Sequence, residues 1–396
     1  MESSIISKTD LTGSIGRPAP SGGGRRTDAM GRDRRSFLLP CVFLLLSLLP
    51  GADAKQRMSI SQYDSEDPSE QYICAGRLKE YAACQCNEDE GEVSCINAQI
   101  TDISVLPTLS SLYPNLRKIM FHGNNFNFMD VSGSIFGSSA SNHANLDTLN
   151  ISANYIINLR SRAFEGLDNL HVLDLSYNEL VLTKADLGLL ENTPMLTELD
   201  LRRAFPDRVP NRTAQFEYMM EMFKRAKLSK LQKLDLSYNS FKSIPFNLPC
   251  LFPALTHLNL RQNNLANLSM NTSCIANLRV IDLTSNLIHS MDSSFRQLAG
   301  GLRPETLIMR NEYYCDCNSG DWIKWLRSTN VIRDKSNFIC SRASPKEYHG
   351  VRLVEVPLDK LDCSKNIWKD SNAASIYSSV LVFGAALVAV RFFLYS

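Results

Sequence analysis

Between residues 116 and 311 the chain restates one pattern, Leu-x-x-Leu-x-Leu-x-x-Asn-x-Leu, from starts at Leu116, Leu146, Leu170, Leu196, Leu231, Leu255, Leu278 and Arg303. Two copies are nearly complete: Leu170-x-x-Leu173-x-Leu175-x-x-Asn178-x-Leu180, and the copy from Leu231 through Leu234, Leu236 and Asn239 to Phe241. Two are degenerate: Ala204 replaces the Asn in the copy from Leu196, and the copy from Arg303 keeps Thr306, Ile308 and Asn311. A period of this length and content means a leucine-rich repeat. Each unit supplies a short strand that cannot bury its leucine face alone, so the units must stack over one continuous core. The expected architecture is an α/β-type solenoid, a horseshoe with a parallel concave sheet.

The asparagines Asn124, Asn154, Asn178, Asn239, Asn263, Asn286 and Asn311 fall at one repeat position. A recurring inward amide can satisfy backbone groups of its own and the neighbouring unit, so these residues read as structural.

Both ends look like export and anchoring signals. Arg32, Arg34 and Arg35 precede an apolar run over 37–49, and Ala52 and Ala54 give a small-residue cleavage pattern. We expect a leader or mis-assigned start over 1–29, a signal peptide over 30–54 and a polar segment over 55–73. From 371 to 390 no charge interrupts the chain. About twenty residues at ~1.5 Å rise span the ~30 Å apolar core of a bilayer. The expectation is a juxtamembrane linker over 365–373, then a transmembrane helix with a minimal tail over 374–396, the repeats outside. A GPI signal is the alternative, because Asn372, Ala373 and Ala374 are small residues ahead of the apolar tail. The 42 basic and 41 acidic residues nearly cancel, so nucleic acid is not implied as a partner.

Cysteines bracket the repeats. Cys74, Cys84, Cys86 and Cys95 define a cap over 74–103, ahead of repeats over 104–311, while Cys315, Cys317, Cys340 and Cys363 define a second cap over 312–364. In an exported chain these are expected as disulfides, with zinc as the weaker alternative because a C-x-C pair chelates poorly. Caps make physical sense, since an open solenoid ends in an exposed leucine face and unpaired strand edges. Cys250 and Cys274 each stand eleven residues after their repeat's Asn, Asn239 and Asn263. Equivalent positions stack ~5 Å apart, within disulfide reach. Two buried thiols are the alternative.

The sequence carries no catalytic signature: the six histidines are scattered, without a metalloprotease motif or a nucleophile elbow. No enzyme activity, cofactor or metal is expected. The working surface is therefore the concave sheet, where strand residues between the inward leucines face outward. One column reads Met120, Asn150, Asp174, Asp200, Asp235, Asn259, Asp282, Leu307, and the next His122, Ser152, Ser176, Arg202, Ser237, Arg261, Thr284, Met309. The candidate binding residues are Met120, His122, Asp174, Asp200, Arg202, Asp235, Arg261 and Asp282, the arginines placed to relieve repulsion along the aspartates. Such Leu-Asp-Leu-Ser stretches are commonly just a solvated face, and that reading stands beside the acidic stripe. Sequons occur at Asn150, Asn211, Asn267 and Asn271. The repeats are interrupted over 204–228, where Phe216, Met219, Met220 and Phe223 follow helical spacing. That stripe packs on its own protein or offers a ridge to a partner.

The second cap runs Tyr313-Tyr-Cys315-Asp-Cys317, then Trp322-Ile-Lys-Trp325, and closes at Cys363. With the interrupted fourth repeat and the sequons at Asn211 and Asn150, it resembles the trophoblast glycoprotein family of type I membrane leucine-rich repeat proteins, from about Cys84 to Cys363. The resemblance implies the pairs Cys74–Cys86, Cys84–Cys95, Cys315–Cys340 and Cys317–Cys363. It also implies a plasma-membrane glycoprotein that inhibits β-catenin-dependent Wnt signalling, through a Wnt ligand or its low-density-lipoprotein-receptor-related co-receptor. A cell-adhesion or matrix-binding solenoid is the alternative. Three departures stand out: a longer Cys74 to Cys84 gap, the Cys250 and Cys274 pair, and only residues 391–396 where the family carries an intracellular tail.

Overall fold

The computed structural model describes Cys74 and residues 84–368, except 114, 127–129, 132, 138–142, 208 and 210–211. The expected signal peptide, the C-terminal span and Asn211 lie outside the described residues. No described helix is long and apolar enough to cross a membrane.

Ten strands form one sheet. The hairpin β1 (Gln85–Asn87) and β2 (Glu92–Ile96) opens it, followed by β3 (Lys118–His122). The short pair β4 (Asp130–Val131) and β6 (Asn158–Leu159) stands apart from it. The main sheet continues through β5 (Thr148–Asn150), β7 (Val172–Asp174), β8 (Glu198–Asp200), β9 (Lys233–Asp235), β10 (His257–Asn259), β11 (Val280–Asp282) and β12 (Leu307–Ile308). Only β1 and β2 pair antiparallel; from β2 to β12 each strand pairs parallel with the next. The register is uniform: Leu149, Leu173, Leu199, Leu234, Leu258 and Ile281 are successive partners. All are buried. Branched and linear aliphatics at this spacing thus stack rung on rung, and each fully buried Leu or Ile contributes on the order of 1.5–3 kcal/mol.

The asparagines form a second ladder behind the sheet. Asn178 Nδ2 donates to Ile151 O at 3.0 Å and Leu175 O at 2.9 Å, while its Oδ1 accepts from the Asn154 and Ile156 N–H groups at 3.1 Å each. Asn263 repeats this on Leu236, Leu260, Asn239 and Phe241. Where Ala204 replaces the amide, the backbone carbonyl of Ala204 itself accepts from Leu180 N at 2.8 Å. The repeat survives there because a main-chain acceptor stands in for one side-chain acceptor.

One rung departs from its expected phase. In the copy from Arg303, Leu307 pairs with Ile281 and Ile308 with Asp282. Leu307 and Met309 are therefore inward, 0% and 1% exposed, and not on the open face as the spacing suggested. Asn311 still accepts from Asn286 N at 2.7 Å, so the rung is one residue shorter between strand and amide. Burying Leu307 and Met309 outweighs keeping the consensus spacing.

The interruption holds helix α2 (Arg212–Ala226), longer than α1 (Val105–Leu112), α3 (Ser293–Gly300) and α4 (Gly320–Ser328). Met219, Met222, Phe223 and Ala226 are buried, and Phe216 and Met220 pack beside them on the core. Phe223 meets Phe252 edge-on at 5.2 Å and Phe216 meets Phe241 at 5.3 Å. Gln215 clamps the chain by donating to Leu182 O and accepting from Leu182 N, both at 2.7 Å. The stripe is core, held against its own repeats.

Caps close both ends. Cys74 is bonded to Cys86 and Cys84 to Cys95, across and beside the β1–β2 hairpin. The hairpin turn needs Gly91, at φ +64°, because a Cβ there would lie 2.4 Å from Asn115 O. At the far end Cys315 is bonded to Cys340, joining β13 (Tyr313–Cys315) to β14 (Cys340–Ala343), and Cys317 to Cys363. Tyr313 is buried against Phe338 and Trp322. Tyr314 is stacked on His289 with ring centres 4.1 Å apart, and Arg342 lies over its ring at 4.9 Å. Trp368 pins the outgoing chain through Nε1 to Asp316 at 2.8 Å.

Candidate binding surface

Each three-residue strand from β5 to β11 in the main sheet buries its middle side chain and leaves the flanking two half-exposed on the open face, apart from Lys233, which is exposed. The candidate residues Met120, His122, Asp174, Asp200, Arg202, Asp235 and Asp282 are all partly exposed there, and Arg261 is exposed. The alternation places a further column on the same face. In it Lys118 pairs with Glu92 at 2.8 Å and Lys233 with Glu198 at 2.6 Å, exposed pairs of small energetic weight.

The column of aspartates and asparagines has a structural task that the sequence did not reveal. Each accepts from the backbone N–H two residues on: Asn150 from Ser152 at 2.9 Å, Asp174 from Ser176, Asp200 from Arg202, Asp235 from Ser237 and Asp282 from Thr284, each at 2.8 Å, and Asn259 from Arg261 at 3.1 Å. A short acid or amide is the residue type that reaches its own backbone in this way. One oxygen of every carboxyl is thereby committed, and the second is available to neighbours. Asp174 Oδ2 accepts from Asn150 Nδ2 at 2.8 Å, and Asp235 Oδ2 accepts from Asn259 Nδ2 at 2.7 Å and Arg202 at 2.9 Å.

Asp200 sits between two like charges. Burial raises its pKa first; the bond from Arg202 N lowers it, the Asp174 and Asp235 carboxylates raise it again, and the Arg202 guanidinium lowers it. The balance is about 6, well above the usual carboxylate range. Arg202 relieves the stripe as expected, 3.9 Å from Asp200 and 2.9 Å from Asp235, and its own pKa rises on the bond to Asp235. Arg261 does not share that role: it forms no ion pair with a described residue, because Asn259 and not an aspartate occupies its rung.

One Ser and His pair meets on this face, His122 Nδ1 to Ser152 Oγ at 2.7 Å. It is not an activated nucleophile. The Ser152 hydroxyl donates to Asn150 Oδ1 at 2.6 Å, so the imidazole must be the donor to Ser152. Among the described residues no cluster of three or more His, Cys, Asp or Glu side chains could hold a metal ion.

Cys250 and Cys274 occupy matching single-turn helices, Leu248–Leu251 and Thr272–Cys274, with Cα atoms 5.0 Å apart and the sulfurs bonded. Beside them Asn271 caps the second turn through Ser273 N at 3.1 Å and donates to Asn247 Oδ1 at 3.1 Å. Asn267 stands exposed.

Two features escaped the sequence. Arg310 joins the Arg202 and Arg261 column once the last rung is shifted, and the shift is visible only in strand pairing. Tyr177 and Tyr238, 43% and 39% exposed, precede the buried Asn178 and Asn239. The recurring Tyr-Asn dipeptide was their signal. These corner residues take left-handed backbone, φ 55° at Tyr177, 45° at Arg203 and 61° at Tyr238.

The leucine rich repeat family profile matches residues 144–203. Trophoblast glycoprotein of Macaca fascicularis is 27% identical over 296 residues, 71% of this chain and 67% of that protein. The Mus musculus protein is 26% identical over 332 residues, 79% of this chain and 74% of its own length. The crystal structure of human trophoblast glycoprotein, also called Wnt-activated inhibitory factor 1, superposes with a TM-score of 0.60 at 24% identity. That match covers 71% of this chain and 98% of the human one. By its repeats, its paired caps and this similarity, the chain is a leucine-rich repeat protein that resembles the trophoblast glycoproteins in sequence and in fold.

Proposed function

We propose that this protein is a glycosylated cell-surface protein that binds an extracellular protein through the open face of its sheet and thereby inhibits β-catenin-dependent Wnt signalling. The observation that carries the binding reading is the face itself: a rigid sheet of nine parallel strands, β2 to β12 without the separate β4 and β6, displays charged and polar side chains that no other described element covers. The Wnt reading is drawn from similarity to a protein also named Wnt-activated inhibitory factor 1. A Wnt ligand or its low-density-lipoprotein-receptor-related co-receptor is the proposed partner. Anchoring is proposed through residues 374–396, as a transmembrane span or after processing to a GPI anchor, with Asn150, Asn211, Asn267 and Asn271 as the glycan sites.

The test is a β-catenin reporter in Wnt-stimulated cells, read with the full chain and with a secreted form lacking 374–396. Reporter output should fall with the full chain, and D174K with D200K should relieve the inhibition. Normal surface expression without any change in reporter output would reject the Wnt reading. An adhesion or matrix-binding role would then lead.

A further inference from the structure

We infer that Arg202, Arg261 and Arg310, with Tyr177 one rung before Arg202 and Tyr238 between Arg202 and Arg261, form a docking lane for an extended, polyproline-type segment of a partner protein bearing a carboxylate at every third residue. This rests on the extracellular binding reading above and gives that partner its chemistry. The lane follows from backbone pairing. Tyr177 N donates to Arg202 O at 2.8 Å, Tyr238 N to Arg261 O at 2.9 Å and Ser285 N to Arg310 O at 2.9 Å, while Ser237 and Thr284 take the same role on the rungs between. The three arginines therefore share one column on alternate rungs. Strand spacing puts them ~9.5 Å apart.

The side chains between them are small and buried, Ser237 at 0% and Thr284 at 7% exposed, so Arg261 and Arg310 stand clear of the rungs between, while Arg202 is held toward Asp235 at 2.9 Å and anchors the start of the lane. Arg261 is exposed, and the Arg310 side chain is 69% exposed with only a surface contact of 3.8 Å to Asp334. A surface pair of this kind holds a guanidinium weakly. Tyr177 and Tyr238 add flat, amphipathic area beside the charges, and Tyr with Arg is the side-chain pairing that dominates protein contact energetics.

Geometry selects the occupant. A polyproline II chain has three residues per turn and ~3.1 Å rise, so every third side chain returns to one face after ~9 Å, close to the rung interval. Such a segment also enters with little conformational entropy to lose. A dense polyanion fits worse, because Asp174, Asp200, Asp235 and Asp282 run in the adjacent column and would oppose it. The sequons leave the lane open: Asn150 lies on β5, two strands before the rung of Arg202. Asn267 and Asn271 follow the buried Asn263, past the corner of their repeat.

The probe is a labelled peptide of four Glu-Pro-Pro units, titrated by fluorescence anisotropy against the purified full chain. It should bind saturably, more weakly as salt rises, and a peptide of equal composition with its glutamates clustered should bind about tenfold less well. R261E with R310E should weaken binding by about tenfold or more while leaving the thermal midpoint in place, and R310Q alone should give a smaller loss. Heparin should compete poorly. Absence of saturable binding, unchanged affinity in R261E with R310E, or complete displacement by heparin would each overturn the lane. The reporter separates this from the functional reading. Arginine-dependent peptide binding without Wnt inhibition rejects only the Wnt reading, and Wnt inhibition that survives R261E with R310E rejects only the lane.

Discussion

Replacing Asn263 by Ala tests how the solenoid is held together. The side chain is 3% exposed and serves two repeats at once. Its Oδ1 accepts from Asn239 N at 3.1 Å and Phe241 N at 2.9 Å, and its Nδ2 donates to Leu236 O and Leu260 O at 3.0 Å each. The two carbonyls keep a partner without it, since Asn239 also reaches Leu236 O and Asn286 also reaches Leu260 O. The two N–H groups keep none in the side-chain network and are too deep for easy hydration. Orphaning a buried donor costs about 1–3 kcal/mol, so N263A should lose about 2–6 kcal/mol. Chemical denaturation of the purified protein, with disulfides intact, measures this as a lower midpoint at unchanged slope. R261E, two residues away but exposed, is the control and should stay within about 0.5 kcal/mol. A loss for N263A below about 1 kcal/mol, comparable to the control, would refute the claim that the amide ladder ties adjacent repeats.

Other outcomes follow from the same contacts. Asp200 is raised from 3.8 to about 6 in the folded protein, so the folded state binds its proton more tightly than the unfolded chain does. Its contribution to stability is fully present below pH 3.8 and lost as pH rises through about 6; D200N should flatten that part of the stability profile, measured by denaturation across pH. C250S with C274S opens a bridge across 24 residues of sequence, and the chain-entropy estimate is a loss of about 3 kcal/mol. In native, unreduced protein neither thiol should react with an alkylating agent. F223A removes a fully buried ring packed on Phe252 and should cost about 3–5 kcal/mol, read as a lower thermal midpoint; a near-neutral result would mean α2 is not part of the core.

The sequence alone determined the elements whose cause is local and periodic. Leu173, Leu199 and Leu234 had to face inward because a strand alternates every residue and only one face could be apolar. The asparagines were legible as ladder residues because the same amide recurs at one repeat position. The spacing of Phe216, Met219, Met220 and Phe223 gave a helix, but which surface it covered was decided by the aromatic pocket of Phe241 and Phe252, contributed by later repeats. The aspartate column looked like an acidic stripe. Only the folded backbone shows that each carboxylate is half-spent on an N–H two residues on, which turns a charge pattern into a turn device. The last rung was settled by pairing alone. Thr306 and Ile308 match the written pattern, yet β11 and the core beneath it select Leu307 and Met309, since those side chains bury more apolar surface. That one-residue shift sets Arg310 beside Arg261 and Arg202. A degenerate repeat does not fix its own phase; the neighbouring strand and the core behind it do.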